Sequence, residues 1–176
     1  MVAYHDMEWG RPVHEERRLF EMLCLEGAQA GLSWASILRR REGYRAAYDA
    51  FDAERMAAYD DERQARLLLD ARIIRNRAKV AAFRDNARAV LRLRQEDGGL
   101  GAFLWSAVGG EPVVGAFERL VDIPVRTPLA ESLSRELRAR GFRFVGPVIV
   151  YAYLQSVGIV DDHLLGCFRR EAGVAG

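Results

Sequence analysis

The octapeptide RGFRFVGP, residues 140–147, is the stretch that decides the fold. A helical pattern precedes it over residues 127–140, and another follows it over residues 146–157. Glycine commonly ends a helix, and proline is favoured in the first turn of one, so both boundaries are marked in the sequence. The sequence therefore predicts two helices joined by a short hairpin at residues 135–157.

This hairpin offers a way to hold a phosphate group. Gly141 and Gly146 bound the turn, and Gly146 lets the backbone come close to another molecule. The helix that follows presents unpaired N–H groups and the positive end of its dipole, which bind phosphate without reading a base. An ordinary αα-hairpin is the alternative and is commoner among proteins. Nearby arginines favour the phosphate interpretation: Arg135, Arg138 and Arg143.

The rest of the chain also predicts helices, so we expect an all-α protein. Apolar residues recur at helical spacing, and no alternating strand pattern, repeat or low-complexity segment occurs. Gly43 is expected to interrupt a helix, and Gly98-Gly99 to end a long one that starts near Asn76. Three residues are expected to cap helix N-termini: Ser33, Asp52 and Thr127.

Length and composition limit the class of protein. Half of the 176 residues are hydrophobic, so one domain over residues 1–170 can bury a sizeable core. Residues 171–176 are rich in glycine and alanine and are expected to form a flexible tail. Two cysteines are too few for a disulfide framework, and no signal peptide or membrane-length apolar run occurs. We expect a soluble, cytoplasmic monomer.

The net charge of +1 argues for no particular partner, but the positions of the charges are more informative. Clustered arginines can neutralise phosphates, although arginines on helix surfaces are mostly solvated. Lys79 is the only lysine in the chain, which we attribute to genome composition. Besides the arginines near the hairpin, two clusters occur: Arg39, Arg40, Arg41 and Arg45, then Arg72, Arg75, Arg77 and Lys79.

One carboxylate lies on the apolar face of a predicted helix. Residues 19–30 show an amphipathic pattern, and Glu26 falls within its apolar stripe. A carboxylate in that position loses water, so it needs a partner, a raised pKa or a cavity. Gln29, one turn later, shares the same surroundings, and residues 31–34 then reverse the chain. The alternative is a solvated or ion-paired glutamate near a helix end.

Four segments resemble the bacterial 3-methyladenine DNA glycosylase I family, within the helix-hairpin-helix superfamily of DNA glycosylases. They are AYHDxEWG at 3–10, LEGxQAGLSW at 25–34, GFxFVG at 141–146 and DHxxGC at 162–167, in the order of the family. The resemblance implies two helical lobes with an active-site cleft between them. It also implies a monofunctional enzyme, which flips 3-methyladenine out of alkylated double-stranded DNA and hydrolyses the N-glycosidic bond without strand cleavage.

The resemblance assigns roles to particular residues. Glu26 is implied to hydrogen-bond the flipped base and to favour a cationic lesion over neutral adenine. Tyr4, Trp9 and Trp34 are implied to stack on that base, and a cation on an aromatic face gains roughly 0.5–2 kcal/mol. Core packing is the alternative for both tryptophans. Leu32 is expected to wedge into the DNA stack, or alternatively to staple two helices together.

Asp161 raises a separate question. In the wider superfamily, an aspartate near this position stabilises the developing sugar cation or activates water. The 3-methyladenine I family typically carries asparagine there. Asp161 is either a second acid near the sugar or a structural residue that caps a helix or supports His163, and we favour the structural interpretation.

A metal site is also implied. His163 and Cys167 stand at i and i+4, which suggests one helical face. The resemblance implies that they bind structural zinc together with His5 and an N-terminal cysteine. No cysteine precedes His5 in this sequence. Three explanations stay open: a truncated or misassigned start, a site of three protein ligands completed by water or another donor, or an empty site.

Three other functions compete with this interpretation. A non-catalytic helix-hairpin-helix module binds DNA without base chemistry, but it has no need of the segment from Glu26 to Trp34. A helical scaffold with a zinc clasp is disfavoured by the basic clusters. A glycosylase for another alkylated base is the third, and sequence does not reveal the shape of its pocket.

Overall fold

The structure, a computed structural model, describes residues 1–171 and is all-α, as predicted. None of its helices is long and apolar enough to cross a membrane. Within the described residues it has eleven α-helices: α1 (Val2–Met7), α2 (Glu16–Gln29), α3 (Trp34–Leu38), α4 (Arg41–Ala47), α5 (Ala53–Ala57), α6 (Asp61–Leu69), α7 (Arg77–Asp97), α8 (Leu100–Ser106), α9 (Pro128–Ala139), α10 (Pro147–Ser156) and α11 (Phe168–Glu171).

Short irregular elements complete the chain. Asp49–Phe51 and Leu120–Asp122 form 3₁₀ turns. Two strands of two residues each, β1 (Val113–Val114) and β2 (Val160–Asp161), pair in parallel, with Val113 opposite Val160. This small ladder joins the loop after α8 to the segment after α10.

The predicted caps are confirmed by their hydrogen bonds. Ser33 Oγ accepts from the Ser36 amide at 3.3 Å, and Asp52 Oδ1 accepts from the Arg55 amide at 3.0 Å. Thr127 Oγ1 likewise accepts from the Ala130 amide at 3.2 Å. These bonds satisfy amides that have no partner inside the helix, which is why the side chains set the helix starts.

Helix α2 lies at the centre of the core. It packs against α3, α7, α8 and α10, and its residues Leu19 to Ala28 are all buried. The segment LFEMLCLEGA therefore has no solvent-facing side, so the helix is predicted correctly but its expected amphipathic character is wrong. Glu26 is carried into the interior on this helix.

The hairpin forms as predicted between α9 and α10. Gly141 ends the first helix with φ of +90°, a conformation that side-chain-bearing residues rarely adopt. Phe142 and Val145 are buried beneath the turn, and Ser134 Oγ donates to the Val145 carbonyl at 2.6 Å. Residues 140–146 are called the hairpin turn below.

Two helix predictions differ from the structure. Gly43 lies inside α4 and does not interrupt it. Its backbone packs directly on Arg72, where a Cβ would lie 2.7 Å from the Arg72 carbonyl oxygen, and this contact accounts for glycine at the position. Helix α1 was not predicted, because no side chain caps it. The division into a domain over 1–170 and a flexible tail over 171–176 stays a prediction, since residues 172–176 lie outside the described part of the chain.

Candidate functional site

A cavity of about 510 Å³ opens beside α1, α2, α3 and α10. It is called the main cavity below. Its volume falls within the range of small-molecule sites in proteins. Its walls bring together five residues from distant parts of the sequence that were singled out there: Tyr4, Trp9, Glu26, Gln29 and Trp34. The three predicted metal ligands line its far end.

Glu26 is buried in the wall of this cavity, 4% exposed. Burial removes water from the carboxylate and raises the pKa of Glu26 to about 8. The nearby Ser156 hydroxyl opposes that shift, but it donates its own hydrogen bond to the Tyr153 carbonyl at 2.8 Å. No arginine or lysine of residues 1–171 lies within 4.0 Å to neutralise the Glu26 charge. The carboxyl therefore has a cavity and a raised pKa instead of an ionic partner.

Two further polar atoms of the cavity wall are buried without a partner. The Tyr4 hydroxyl and the Trp34 indole N–H make no hydrogen bond within the described residues. Their rings lie 5.6 Å apart, inclined at 55°. Burial raises the pKa of Tyr4 above its ordinary value, and the charges of Glu26 and Glu8 add to the shift. Unpaired buried donors are costly, so these atoms indicate that the cavity takes a polar, planar ligand.

A second groove of about 380 Å³ shares Glu26, Gln29 and Ala152 with the main cavity and leads outward. Leu32 and Val148 line its mouth and are 40% and 54% exposed. Leu32 belongs to the reversal between α2 and α3, residues 30–33, which is called the wedge turn below. The predicted wedge residue thus lies at the entrance of a path that ends at Glu26.

The predicted phosphate-binding residues occupy the hairpin turn. Gly146 has φ of −63°, and a Cβ there would meet only Arg138, at 3.4 Å. Neither backbone strain nor internal packing requires glycine at this position, so close approach by another molecule is the remaining reason for it. The Arg143 guanidinium pairs with Asp85 at 2.8 Å and remains exposed. Arg135 and Arg138 are exposed on α9 beside the turn.

Two arginines of one basic cluster are paired with acids of the protein. Arg41 is buried and is bonded to Glu21 and Glu8, each at 2.7 Å. Arg45 pairs with Glu21 at 2.9 Å and with Glu42 at 2.7 Å. Among these acids only Glu21 is buried. The charges of Arg41 and Arg45 are therefore engaged by acids of the protein, whereas Arg39 of the same cluster remains exposed. The acids lie 20 or more positions away from Arg41, which is why residue spacing did not reveal the pairing.

His5, His163 and Cys167 converge at the end of the main cavity. One ligand atom from each lies within 4.8 Å of the others, and His5 Nε2 is 3.6 Å from Cys167 Sγ. Both Nδ1 atoms face carboxylates: His5 faces Asp6 at 2.8 Å, and His163 faces Asp161 at 2.6 Å. Each ring is thereby left with Nε2 directed at the cluster, and His163 Nε2 is buried with no partner.

The expected helical face for His163 and Cys167 is wrong. Residues 162–167 form a turn before α11, in which the Cys167 amide donates to the Leu164 carbonyl at 2.8 Å. This turn, instead of a helix, folds the two side chains together. Asp161 lies outside the main cavity and bonds both the backbone amide and the ring of His163, which agrees with the structural interpretation that the sequence favoured.

The sequence analysis missed Asp162, the neighbouring acid that does line the main cavity. Asp162 is 3% exposed, and its Oδ2 accepts from the Tyr151 hydroxyl at 2.5 Å and from Gln155 Nε2 at 2.7 Å. In the pair Asp161-Asp162, only backbone geometry decides which carboxylate faces which site. The alternation of side chains along β2 turns Asp161 away, and no sequence signal distinguishes the two.

Trp9 joins the two halves of the site. Its indole lines the main cavity and stands edge-on to the His163 ring, with centroids 4.6 Å apart. Gly10, with φ of +72°, follows immediately, and a Cβ there would lie 2.4 Å from His163 Cε1. The short segment after α1 therefore holds Trp9 against the metal-ligand cluster.

The fold is helical, its cavity has aromatic walls around a buried acid, and a glycine-bounded hairpin lies beside the entrance. These features define a class of protein that encloses a flat, polar ring. Comparison with known proteins gives the family. Residues 1–170 match the methyladenine glycosylase family, and the chain belongs to it.

Relatives and solved structures agree with that assignment. DNA-3-methyladenine glycosylase 1 of Escherichia coli is 46% identical over 166 residues, which cover 94% of this chain and 89% of that protein. DNA-3-methyladenine glycosylase of Haemophilus influenzae is 40% identical, with coverage of 94% and 90%. A crystal structure of 3-methyladenine DNA glycosylase I superposes with a TM-score of 0.93 at 47% identity, covering 95% and 92% of the two chains. Another, in complex with 3-methyladenine, gives 0.92 at 36% identity, covering 94% and 89%.

Proposed function

We propose that this protein removes 3-methyladenine from alkylated double-stranded DNA by hydrolysis of the N-glycosidic bond. The single observation that carries the proposal is the buried Glu26 carboxyl, which has no ionic partner among the described residues and lines an aromatic-walled cavity of a size that admits one purine. Membership of the methyladenine glycosylase family and the names of its relatives support the substrate.

Charge distinguishes the lesion from normal adenine. A 3-methylated adenine nucleotide is a cation, so it attracts a carboxylate in a low-dielectric wall and gains on aromatic faces, where roughly 0.5–2 kcal/mol is typical. A cation beside Glu26 favours the ionised carboxyl, which the empty cavity disfavours. Binding of the cationic lesion therefore favours loss of the proton from Glu26. Neutral adenine carries no charge that offsets the cost of ionising this buried carboxyl.

Hydrolysis itself asks little of the protein. The cationic base leaves with the bonding electrons and becomes neutral, while water adds to the sugar and releases a proton. No strong acid is required, so the protein contributes extraction, orientation and exclusion of water. Unstacking the base costs a few kcal/mol, and the cavity offsets that cost only when the base carries the charge.

The placement of the only lysine is compatible with monofunctional action. Strand-cleaving chemistry at a sugar uses an amine that forms a Schiff base. The Lys79 amine donates to the Ala28 carbonyl at 2.8 Å and to the Ala30 carbonyl at 2.7 Å. It does not line the main cavity. This side chain therefore supports base release without strand cleavage.

The DNA is held from two sides in this proposal. The hairpin turn acts as a helix-hairpin-helix element whose Gly146 and following amides receive one phosphate, with Arg135, Arg138 and the exposed Arg143 nearby. Leu32 on the wedge turn enters the stack at the site of the extruded nucleotide. The groove from Leu32 to Glu26 then guides the base to the main cavity. A module that only grips phosphate has no use for such a groove.

We also propose a structural zinc ion held by His5, His163 and Cys167. The fit rests on the buried, partnerless Nε2 of His163 and on a donor set of two imidazoles and one thiol, which suits zinc. When bound, the ion supplies a cross-link between α1 and the turn at 162–167. Asp6 and Asp161 hold the two rings in the tautomer that presents Nε2.

We place the protein in the cytoplasm as a monomer, the compartment that holds chromosomal DNA in bacteria such as those of its relatives. The site described above is built from residues of one chain. A second copy is therefore not needed to complete it.

The deciding experiment is incubation of the protein with methylated duplex DNA, followed by chromatography of released bases and gel analysis of the strands. We expect free 3-methyladenine and intact strands. Release of 7-methylguanine or hypoxanthine instead would assign another substrate, and DNA binding with no base released would assign a binding module. The Glu26→Gln variant, expected to release the base more slowly, serves as the matched control.

A further inference from the structure

The only lysine of the chain closes the end of α2. Lys79 is buried, 8% exposed, and its ammonium group donates to the carbonyls of Ala28 and Ala30. Those carbonyls end α2 and begin the wedge turn, at the negative end of the helix dipole. No carboxylate of the described residues lies within 4.0 Å of the ammonium. Lys79 is therefore bound to backbone alone, and it fixes where the wedge turn leaves α2.

Asn86 holds the hairpin turn in an equivalent way. This side chain is 2% exposed, its Nδ2 donates to the Arg143 carbonyl at 3.1 Å, and its Oδ1 accepts from the Arg143 amide at 2.7 Å. The Asn86 side chain thus bonds both the backbone amide and the backbone carbonyl of Arg143. Arg92 adds a bond of 2.9 Å to the Arg140 carbonyl. The hairpin turn is consequently fixed to α7 through its backbone.

Lys79 and Asn86 lie on the same face of one helix. Both belong to α7, seven positions apart, which is close to two helical turns and about 10 Å of rise. A continuous helix of 21 residues is stiff over that distance. The separation of the wedge turn from the hairpin turn is thereby set by α7, although neither turn belongs to it. Gly27 of α2 also contacts Phe144 of the hairpin turn, where a Cβ would lie 3.1 Å away.

We propose that Lys79 and Asn86 are positioning residues that fix the spacing of the wedge turn and the hairpin turn, so that both engage the duplex at once. This inference rests on the proposed function. Leu32 can enter the base stack only while the hairpin turn holds the DNA backbone. A misplacement of either turn by about 1 Å can cost about a hundredfold in rate. Lys79 and Asn86, both on one stiff helix, restrict the relative movement of the two turns before DNA binds. This restriction lowers the entropic cost of binding.

The choice of residue types supports this role. The chain has arginine at every other Lys or Arg position, whereas this position carries a compact ammonium that reaches two carbonyls at 2.7–2.8 Å. An ammonium directs three donors from a single compact nitrogen, whereas a guanidinium is larger and presents its donors in a planar fork. Asparagine at 86 both donates and accepts, as a peptide group requires.

The test compares Lys79→Met and Asn86→Ala with Arg88→Met. Arg88 is a matched control because it is also on α7 and also donates to a carbonyl at a helix end, that of Ala57 at 3.0 Å, but it touches neither turn. The dissociation constant is measured for a duplex with an abasic-site analogue and, separately, for free 3-methyladenine. We expect about a tenfold or greater loss of duplex binding in the first two variants, free-base binding within twofold of wild type, and no comparable loss in Arg88→Met.

The double variant Lys79→Met/Asn86→Ala makes the test specific. If Lys79 and Asn86 together fix one spacing, the loss of either residue already leaves that spacing unfixed. The double variant should then bind duplex no more than about threefold worse than the weaker-binding single variant. Losses that multiply would overturn the shared role, as would duplex binding within twofold of wild type. An equal fall in free-base affinity would show a damaged cavity and also overturn it. Should Lys79→Met not fold, Lys79→Gln replaces it. A wild-type protein that binds no free base would instead contradict the proposed function.

Discussion

The ring of His163 and the carboxylate of Asp161 form a direct pair, with 2.6 Å between Nδ1 and Oδ1. The same oxygen also accepts the backbone amide of His163 at 3.1 Å. Asp161 thereby fixes both the orientation of the ring and the nitrogen that carries the proton. An aspartate in this position is thus committed to the histidine and turned away from the main cavity.

Asp161→Asn should therefore leave base release within about threefold of wild type while weakening zinc binding. The substitution removes the charge that makes the imidazole a stronger ligand, and loss of such an outer partner typically costs about 10- to 100-fold in metal affinity. Competition with a chromophoric chelator measures the zinc affinity. A large fall in turnover with zinc binding unchanged would instead place Asp161 next to the sugar.

Glu26→Gln should keep the fold and lose function. The amide has nearly the same shape, and Glu26 makes no ion pair whose loss would destabilise the protein. Without the negative charge, the cavity no longer favours a cation, so we expect base release to slow by about tenfold or more. Single-turnover release of 3-methyladenine and a circular dichroism melting curve provide the two measurements. Wild-type turnover in this variant would remove Glu26 from the mechanism.

The activity should depend on pH through Glu26. Because burial raises the pKa of Glu26 to about 8, the free enzyme holds a proton there at neutral pH and loses it as the pH rises. We expect kcat/KM for methylated DNA to increase with pH and to level off above about 8. The profile measured with Glu26→Gln should lack this step. An identical profile in both proteins would assign the ionisation to another group.

The same shift links pH to stability, with a defined sign. The folded state holds the Glu26 proton up to about pH 8, whereas the unfolded chain releases it near the ordinary value of 4.5. The stabilisation is thus fully present below about 4.5 and is lost as the pH rises through about 8. Urea unfolding of wild type between these values should show the free energy of unfolding falling relative to Glu26→Gln. Parallel curves for the two proteins would contradict the prediction.

Gly146→Ala should separate DNA binding from folding. With φ of −63° and no atom closer than 3.4 Å, an alanine Cβ fits here, and loss of glycine flexibility in the unfolded chain stabilises by about 0.4–1 kcal/mol. The same Cβ obstructs a phosphate, so duplex affinity should fall by about tenfold. Gly141→Ala, at φ of +90°, should instead destabilise the protein. Thermal melting and fluorescence anisotropy measure the two effects, and unchanged duplex affinity in Gly146→Ala would exclude the close approach.

Local signals predicted the parts of the fold that depend on local bonds. Ser33, Asp52 and Thr127 cap helices through amides three residues away, and Gly141 ends α9 through its own backbone angle. Glu26 could be identified from the sequence because it is a charged residue at a position where the helical pattern calls for an apolar one. Each of these residues carries its reason within a few positions of sequence.

The remaining features depend on contacts between distant segments. Arg41 appeared to be a surface cation because its partners, Glu8 after α1 and Glu21 in α2, belong to other segments of the chain. Lys79 appeared incidental for the same reason, since the carbonyls it bonds are about 50 positions away. Asp162 was overlooked because the direction of a side chain in an irregular segment is set by the packing around it.

Trp9 gives the molecule a built-in optical signal. One face of this indole borders the main cavity, and its ring stands edge-on to His163, 4.6 Å between centroids. Binding in the main cavity or at the His5, His163 and Cys167 cluster alters the surroundings of this one indole. Trp34 lines the cavity alone, and Trp105 lies at neither site. We therefore expect Trp9 emission to change on binding of a nucleobase in the main cavity and on binding of an ion at the proposed zinc site.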